Sequence, residues 1–160
     1  MNTLGQDFAM MYGRELDRLA GEIAAYRSDA DLWSTVGAQK NSPGTLAIHL
    51  VGALAHFIGG TLGGSSYVRD REREFSERDV PRAEVERRIR ECRETVVRVL
   101  EGLDDAAMNE PLPGKVPPSL QGITTRAFLL HMFWHIGWHS GHVYYHRLGI
   151  AEPPADMALE

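Results

Sequence analysis

An all-α fold, an antiparallel four-helix bundle, is predicted by three observations. Four segments repeat apolar residues at intervals of three and four, no segment alternates convincingly as a strand would, and polar or turn-rich connections separate the four. The first helix spans about residues 3–27, with Phe8, Tyr12, Leu16, Leu19, Ile23 and Tyr26 forming a core-facing stripe. Ser28 to Asn41 is a polar connection. The second helix opens at Ser42-Pro43, where the serine hydroxyl caps free N–H groups and proline fits the first turn. It runs to about Leu62 and stops at Gly63-Gly64.

A densely charged connection, SSYVRDREREFSERDV, leads to Pro81 and a third helix reaching Leu100 or Leu103. Its inner series is Val85, Ile89, Cys92, Val96 and Val99, which makes the single cysteine a small core residue. Five prolines and glycines between Pro111 and Pro118 then forbid a regular helix. A loop this long tends to be functional, often covering a site. The fourth helix opens near Thr124 or Thr125 and runs to Gly149; residues 151–160 form a short tail of no evident structure.

Bulk properties narrow the function classes. A length of 160 residues suits one domain, residues 1–150, able to bury about two-thirds of its unfolded surface. Hydrophobic residues make up 43% and charged residues 24%, which is ordinary for a globular chain. A net charge of -5 argues against a nucleic-acid partner. No apolar run is read as approaching the roughly 20 residues of a membrane span, and Asp7, Arg14, Glu15 and Asp17 interrupt any signal peptide. No membrane association and a cytoplasmic location are expected.

Histidine placement is the informative feature. All seven lie in helices two and four: His49 and His56, then His131, His135, His139, His142 and His146. Spacings of three, four and seven put each set on one helical face. Leu46, Ala53 and Phe57 share the arc of His49, while Phe128, Met132, Ile136 and Val143 share that of His135 and His139, so the central rings point inward. Several buried imidazoles need partners, and one cation supplies several at once. A hydrogen-bonded core histidine is the plainer alternative. Spacing does not choose among the pairs 131/135, 135/139 and 142/146.

The runs NSPGTLAIHLVGALAHFIGGTLGG, YVRDREREF and FLLHMFWHIGWHSGHVYYHRLG, with Leu32-Trp33 before them, resemble the DinB-like (DinB/YfiT-like) superfamily of metalloenzymes. The likeness is closest to a bacterial branch with an Asn-Ser helix start, His-Leu, a glycine pair, an Arg-Asp-Arg segment and a following Glu-Phe, and it spans about residues 30–150. It implies a four-helix bundle with His49, His135 and His139 as metal ligands, and His131 and His142 as possible neighbours of the site. Where members often carry Gln after the motif's glycine, this chain has His142.

The resemblance also implies a divalent ion, zinc or nickel foremost, and a low-molecular-weight thiol cofactor, since related transferases use such thiols. The expected activity is a thiol-dependent S-transferase or a hydrolase-like reaction on a small electrophile, with a non-catalytic stress-response or sensing protein as the alternative. Phe128 to His146 contains no Asp or Glu, which excludes the zinc-protease motif. Catalytic residues therefore stay unassigned; Tyr12, Glu15, His131 and His142 are the candidate proton carriers. Arg69-Asp70-Arg71 reads as an ion-pair network holding its loop, with an anchor for an anionic ligand as the alternative. Trp134, Trp138 and Tyr145 read as packing, with a ligand wall as the alternative. Gly137 and Gly141 permit close helix approach, and a homodimer is expected.

Overall fold

A computed structural model of the chain describes residues 2–114 and 118–150. The expected tail, 151–160, lies outside the described residues. Among those described the protein is all-helical, with one isolated bridge between Pro111 and Thr124 as its only β-type pairing. Helix α1 (Leu4–Ala24) starts on a capping box, Thr3 accepting from the Gln6 N–H while Gln6 returns a bond to the Thr3 N–H. Its predicted stripe is buried from Tyr12 to Tyr26, and Phe8 is half-buried.

The Ser28 to Asn41 connection contains a short helix, α2 (Asp29–Trp33), capped by Ser28. Trp33 from α2 donates to the Val80 carbonyl at 3.0 Å. A Cβ at Gly44 would meet its indole ring at 2.9 Å, so glycine is what lets the ring lie on the next helix. Helix α3 (Pro43–Leu54) opens as expected, with Ser42 accepting from the Thr45 N–H. At Ala55 it widens into a π-helical stretch, Ala55–Leu62. The sequence period foresaw the extent of this helix but not the change of pitch, because glycines 59, 60 and 63 leave the backbone free to widen.

One expectation is corrected here. The continuous helix Pro43–Leu62 is 20 residues long and apolar enough, by length and composition, to cross a membrane. Its apolar surface is accounted for inside the protein: 61% of its most apolar window is buried, and it packs on α5 (Arg82–Glu101) and α7 (Thr125–Ile150).

The charged connection forms a further short helix, α4 (Arg71–Ser76), whose first turn is capped by Asp70. It packs on α3. Helix α5 buries Val85, Ile89, Cys92, Val96 and Leu100. Burial pushes the Cys92 thiol up to about 12, so it behaves as a core residue. A last short helix, α6 (Asp105–Asn109), precedes the proline-rich loop, whose base is pinned by bonds from Leu112 N to Ile123 O and from Thr125 N to Glu110 O.

Each of the four long segments packs on two of the others. Helix α1 packs chiefly on α5 and also on α7, and α3 packs on the same two. Tyr12 O–H donates to the Leu129 carbonyl and Tyr26 O–H, just beyond the end of α1, to the Val143 carbonyl, tying this segment to α7 at two heights. This frame holds α3 and α7 side by side with α4 laid against α3.

Candidate metal centre

Helices α3 and α7 bring His49, His135 and His139 together. His135 and His139 are one helical turn apart on the same face, and His49 approaches them from the facing helix. Nε2 of His135 lies 3.4 Å from Nε2 of His49 and 3.0 Å from Nε2 of His139. One ring nitrogen from each lies within 4.8 Å of the other two. Nitrogens about 2.0–2.1 Å from a common ion stand roughly 2.8–3.4 Å apart for bond angles between a right angle and a tetrahedral one. Both separations from His135 fall in that interval. The donor set, three neutral imidazoles from two rigid helices, therefore fits one divalent ion.

The rings are held differently. His49 Nδ1 lies 2.9 Å from Glu74 Oε2, with both side chains buried. Arg69 binds the same carboxylate through both its edges, Nε to Oε1 at 2.7 Å and Nη2 to Oε2 at 2.8 Å. Burial by itself would raise the Glu74 carboxyl, but the Arg69 guanidinium and the His49 ring together outweigh it and hold the carboxyl below its usual range. An ionised Glu74 accepts the Nδ1 proton, which leaves the His49 lone pair on Nε2, toward the other two rings. In His135 and His139, Nδ1 is buried with no hydrogen-bond partner among the described residues. Packing alone orients them, so His49 is the anchored member.

Room for Glu74 comes from Gly52, one turn beyond His49 on α3. A Cβ there would stand 2.3 Å from Glu74 Oε1. Glu74 and Gly52 are the site residues that sequence reasoning missed. The signal was the Glu-Phe that follows Arg-Asp-Arg in the family-like motif: Phe75 also packs on the His49 ring, centroids 4.7 Å apart.

Other expectations resolve individually. His131 and His142 are exposed and make no hydrogen bond to the cluster; each lines a cavity beside it, His131 next to His135 and His142 next to His139. His146 is buried, its Nδ1 3.0 Å from the Tyr26 hydroxyl oxygen, and His56 meets Phe57 edge to face. Of the proton carriers in α1, Tyr12 is fully buried and committed to the Leu129 carbonyl, and Glu15 faces Trp134 and Trp138 rather than the histidines. Arg69 is the ion-pair partner expected of its loop, while Asp70 caps α4. The packing reading of Trp134, Trp138 and Tyr145 is corrected: they are 57%, 55% and 73% exposed, since no helix among the described residues covers them. Nor do the two tryptophans wall the cluster, since the hollow they line contains none of its histidines. From the proline-rich loop, Leu120 reaches the cavity beside His49 and His135.

The imidazoles are held neutral. Burial first, then positive charge on neighbouring groups, brings His135 down to about 4 and His139 to about 3; burial also lowers His49, against the opposing pull of Glu74. Unfolded imidazoles titrate near 6.5. As pH falls below about 6.5 the unfolded chain takes up protons first, so the metal-free fold loses stability down to about pH 4 and about pH 3 for the two rings. Ion binding has the converse signature. Three ordinary imidazoles lose on the order of a thousandfold in affinity between pH 7.5 and 5.5 through proton competition. Here zinc affinity should change by less than about tenfold over that interval, measured by chelator competition at both pH values.

The sequence model of the DinB superfamily matches residues 14–143, the greater part of the chain and all three clustered histidines. No curated protein and no solved structure matches it.

Proposed function

The chain belongs to the DinB superfamily, and from that premise we propose that it is a metal-dependent enzyme with His49, His135 and His139 as its ligands. The convergence of three Nε2 atoms, one with its tautomer set by Glu74, carries this reading. Zinc or nickel suits three neutral imidazoles, with a low-molecular-weight thiol as co-substrate and a small electrophile as the acceptor. The surrounding architecture is an antiparallel four-helix bundle forming one domain over residues 1–150, in a cytoplasmic protein without nucleic-acid or membrane partners.

Held by His49, His135 and His139, a divalent ion would supply Lewis acidity near neutral pH. The chain's own residues do the rest. Glu74 holds the Nδ1 proton of His49, and Arg69 keeps Glu74 ionised. Phe57, Phe128 and Met132 give the adjoining cavity apolar walls that limit water. His131 and His142 stand one on either side of the cluster, and either ring can accept the proton that a thiol gives up.

One observation favours the non-catalytic reading of a metal-binding stress-response or sensing protein. Among the described residues no carboxylate bonded to the cluster is free, because Glu74 is engaged by His49 and Arg69. The two readings separate when the purified chain is loaded with zinc, nickel or manganese and assayed for conjugation of thiols to monochlorobimane. Conjugation that depends on the ion and vanishes in His135→Ala supports the enzyme; failure with every ion and thiol leaves the non-catalytic protein. A homodimer would use the exposed strip of Trp134, Trp138 and Tyr145, where Gly137 and Gly141 have no neighbour within 4 Å of a would-be Cβ; solution mass by light scattering tests it.

A further inference from the structure

A cavity of about 190 Å³ opens directly on His49 and His135. Its walls are apolar: Phe57 meets Phe128 edge to face with ring centroids 5.0 Å apart, and Leu120 completes them. Its charged lining is all of one sign. Arg69 and Arg71 border it, with the His131 ring beside them, and no carboxylate among the described residues does, in a chain whose net charge is -5. Arg69 is neutralised by Glu74. Arg71 forms no ion pair among the described residues; its guanidinium lies 5.3 Å over the Phe75 ring, whose other neighbour is His49. That stacking locates a cation beside the cluster and leaves its N–H donors without a carboxylate partner.

We propose that this cavity is an anion subsite for a small ligand with an apolar body and a carboxylate, the carboxylate held by Arg71 and the opposite end presented to the three-histidine cluster. The proposal rests on the metal reading and narrows its substrate class. Arg71 suits the task because a guanidinium offers paired donors to a carboxylate and stays charged at any working pH. The apolar walls exclude water from the ligand's body and strengthen the charge contact at the rim. His131, on the same cavity, adds a second donor.

The test uses the full chain loaded with cobalt(II), whose visible absorption reports a thiolate ligand. Mercaptocarboxylates of two, three and four carbons are titrated against their matched amides, which differ only in lacking the anion. At least one acid should bind about tenfold more tightly than its amide, the size expected of a hydrogen-bonded charge contact. Arg71→Gln should remove that preference, and Arg18→Gln, on exposed α1 surface, should keep it. Equal affinity of acid and amide at every length, or a preference that survives Arg71→Gln, overturns the subsite while leaving the metal reading intact. Should cobalt not bind, the metal reading fails separately. Benzoate against benzamide, followed in the metal-free chain by NMR shifts at Arg71 and His131, then decides the subsite alone: a benzoate preference lost in Arg71→Gln keeps it, and no preference ends it.

Discussion

Replacing His135 with alanine should weaken zinc binding at least a hundredfold, and His49→Ala and His139→Ala should do the same. Structural zinc sites with four ligands bind with about 10–16 kcal/mol, roughly 3–4 kcal/mol for each ligand, which is a factor of a hundred to a thousand. The metal-free fold responds differently. His135 and His139 each carry a buried Nδ1 without a partner, so alanine at either position removes an unsatisfied polar atom along with the ring, and the metal-free variants should unfold within about 1–2 kcal/mol of the parent. Zinc should raise the melting temperature of the parent and not that of the variants. Calorimetric titration of the singles, beside His131→Ala and His142→Ala, tests the ligand set itself. The two exposed rings should each change zinc affinity by no more than about threefold, since neither reaches the cluster. If His142→Ala costs as much as His139→Ala, the ligands have been assigned to the wrong turn of α7.

Glu74→Ala should damage both stability and metal binding. Glu74 is 3% exposed and its loss leaves the part-buried Arg69 guanidinium and the His49 Nδ1–H without an acceptor. Breaking a buried pair from one side costs about 3–5 kcal/mol, because the remaining charge keeps its desolvation penalty. Zinc affinity should fall about 10–100-fold as well, since His49 can then place its proton on either nitrogen. Urea unfolding of the metal-free chain and calorimetric zinc titration read the two effects separately. Removing Arg69 too should restore part of the lost stability but none of the affinity, and a double-mutant cycle isolates that coupling. Gly52→Ala gives an independent check: a Cβ 2.3 Å from Oε1 must displace the carboxylate, so zinc affinity should fall although no ligand or partner has been changed. Unchanged zinc affinity in both Glu74→Ala and Gly52→Ala would remove Glu74 from the site.

Much of this was legible before any coordinates. The capped start of α3 at Ser42-Pro43 could be read from local chemistry, and so could the buried stripe of α1 and the core position of Cys92. A 3.6-residue period and a capping hydroxyl act within a few residues. The short helices α2, α4 and α6 were not legible, being five or six residues long and too brief to display a period. Trp134 and Trp138 misled for a related reason. Large aromatic rings normally mark a buried face, yet their side of α7 is left exposed by the described residues.

The candidate site divides along the same line. Sequence determined that the imidazoles reside on two helices, and that α7 offers five of them within an arc of about 80° at 100° per residue. Family likeness pointed to His49, His135 and His139. Which rings share one point was decided by tertiary structure, because residues on a common arc differ in height along the axis, His131 and His146 standing about 22 Å apart at 1.5 Å per residue. Only His135 and His139 lie level with His49. The partnership of His49 with Glu74 joins positions 25 residues apart across a connection with no periodicity. Nothing local encodes such a contact; it exists because α4 folds back onto α3 at the glycine that leaves it space.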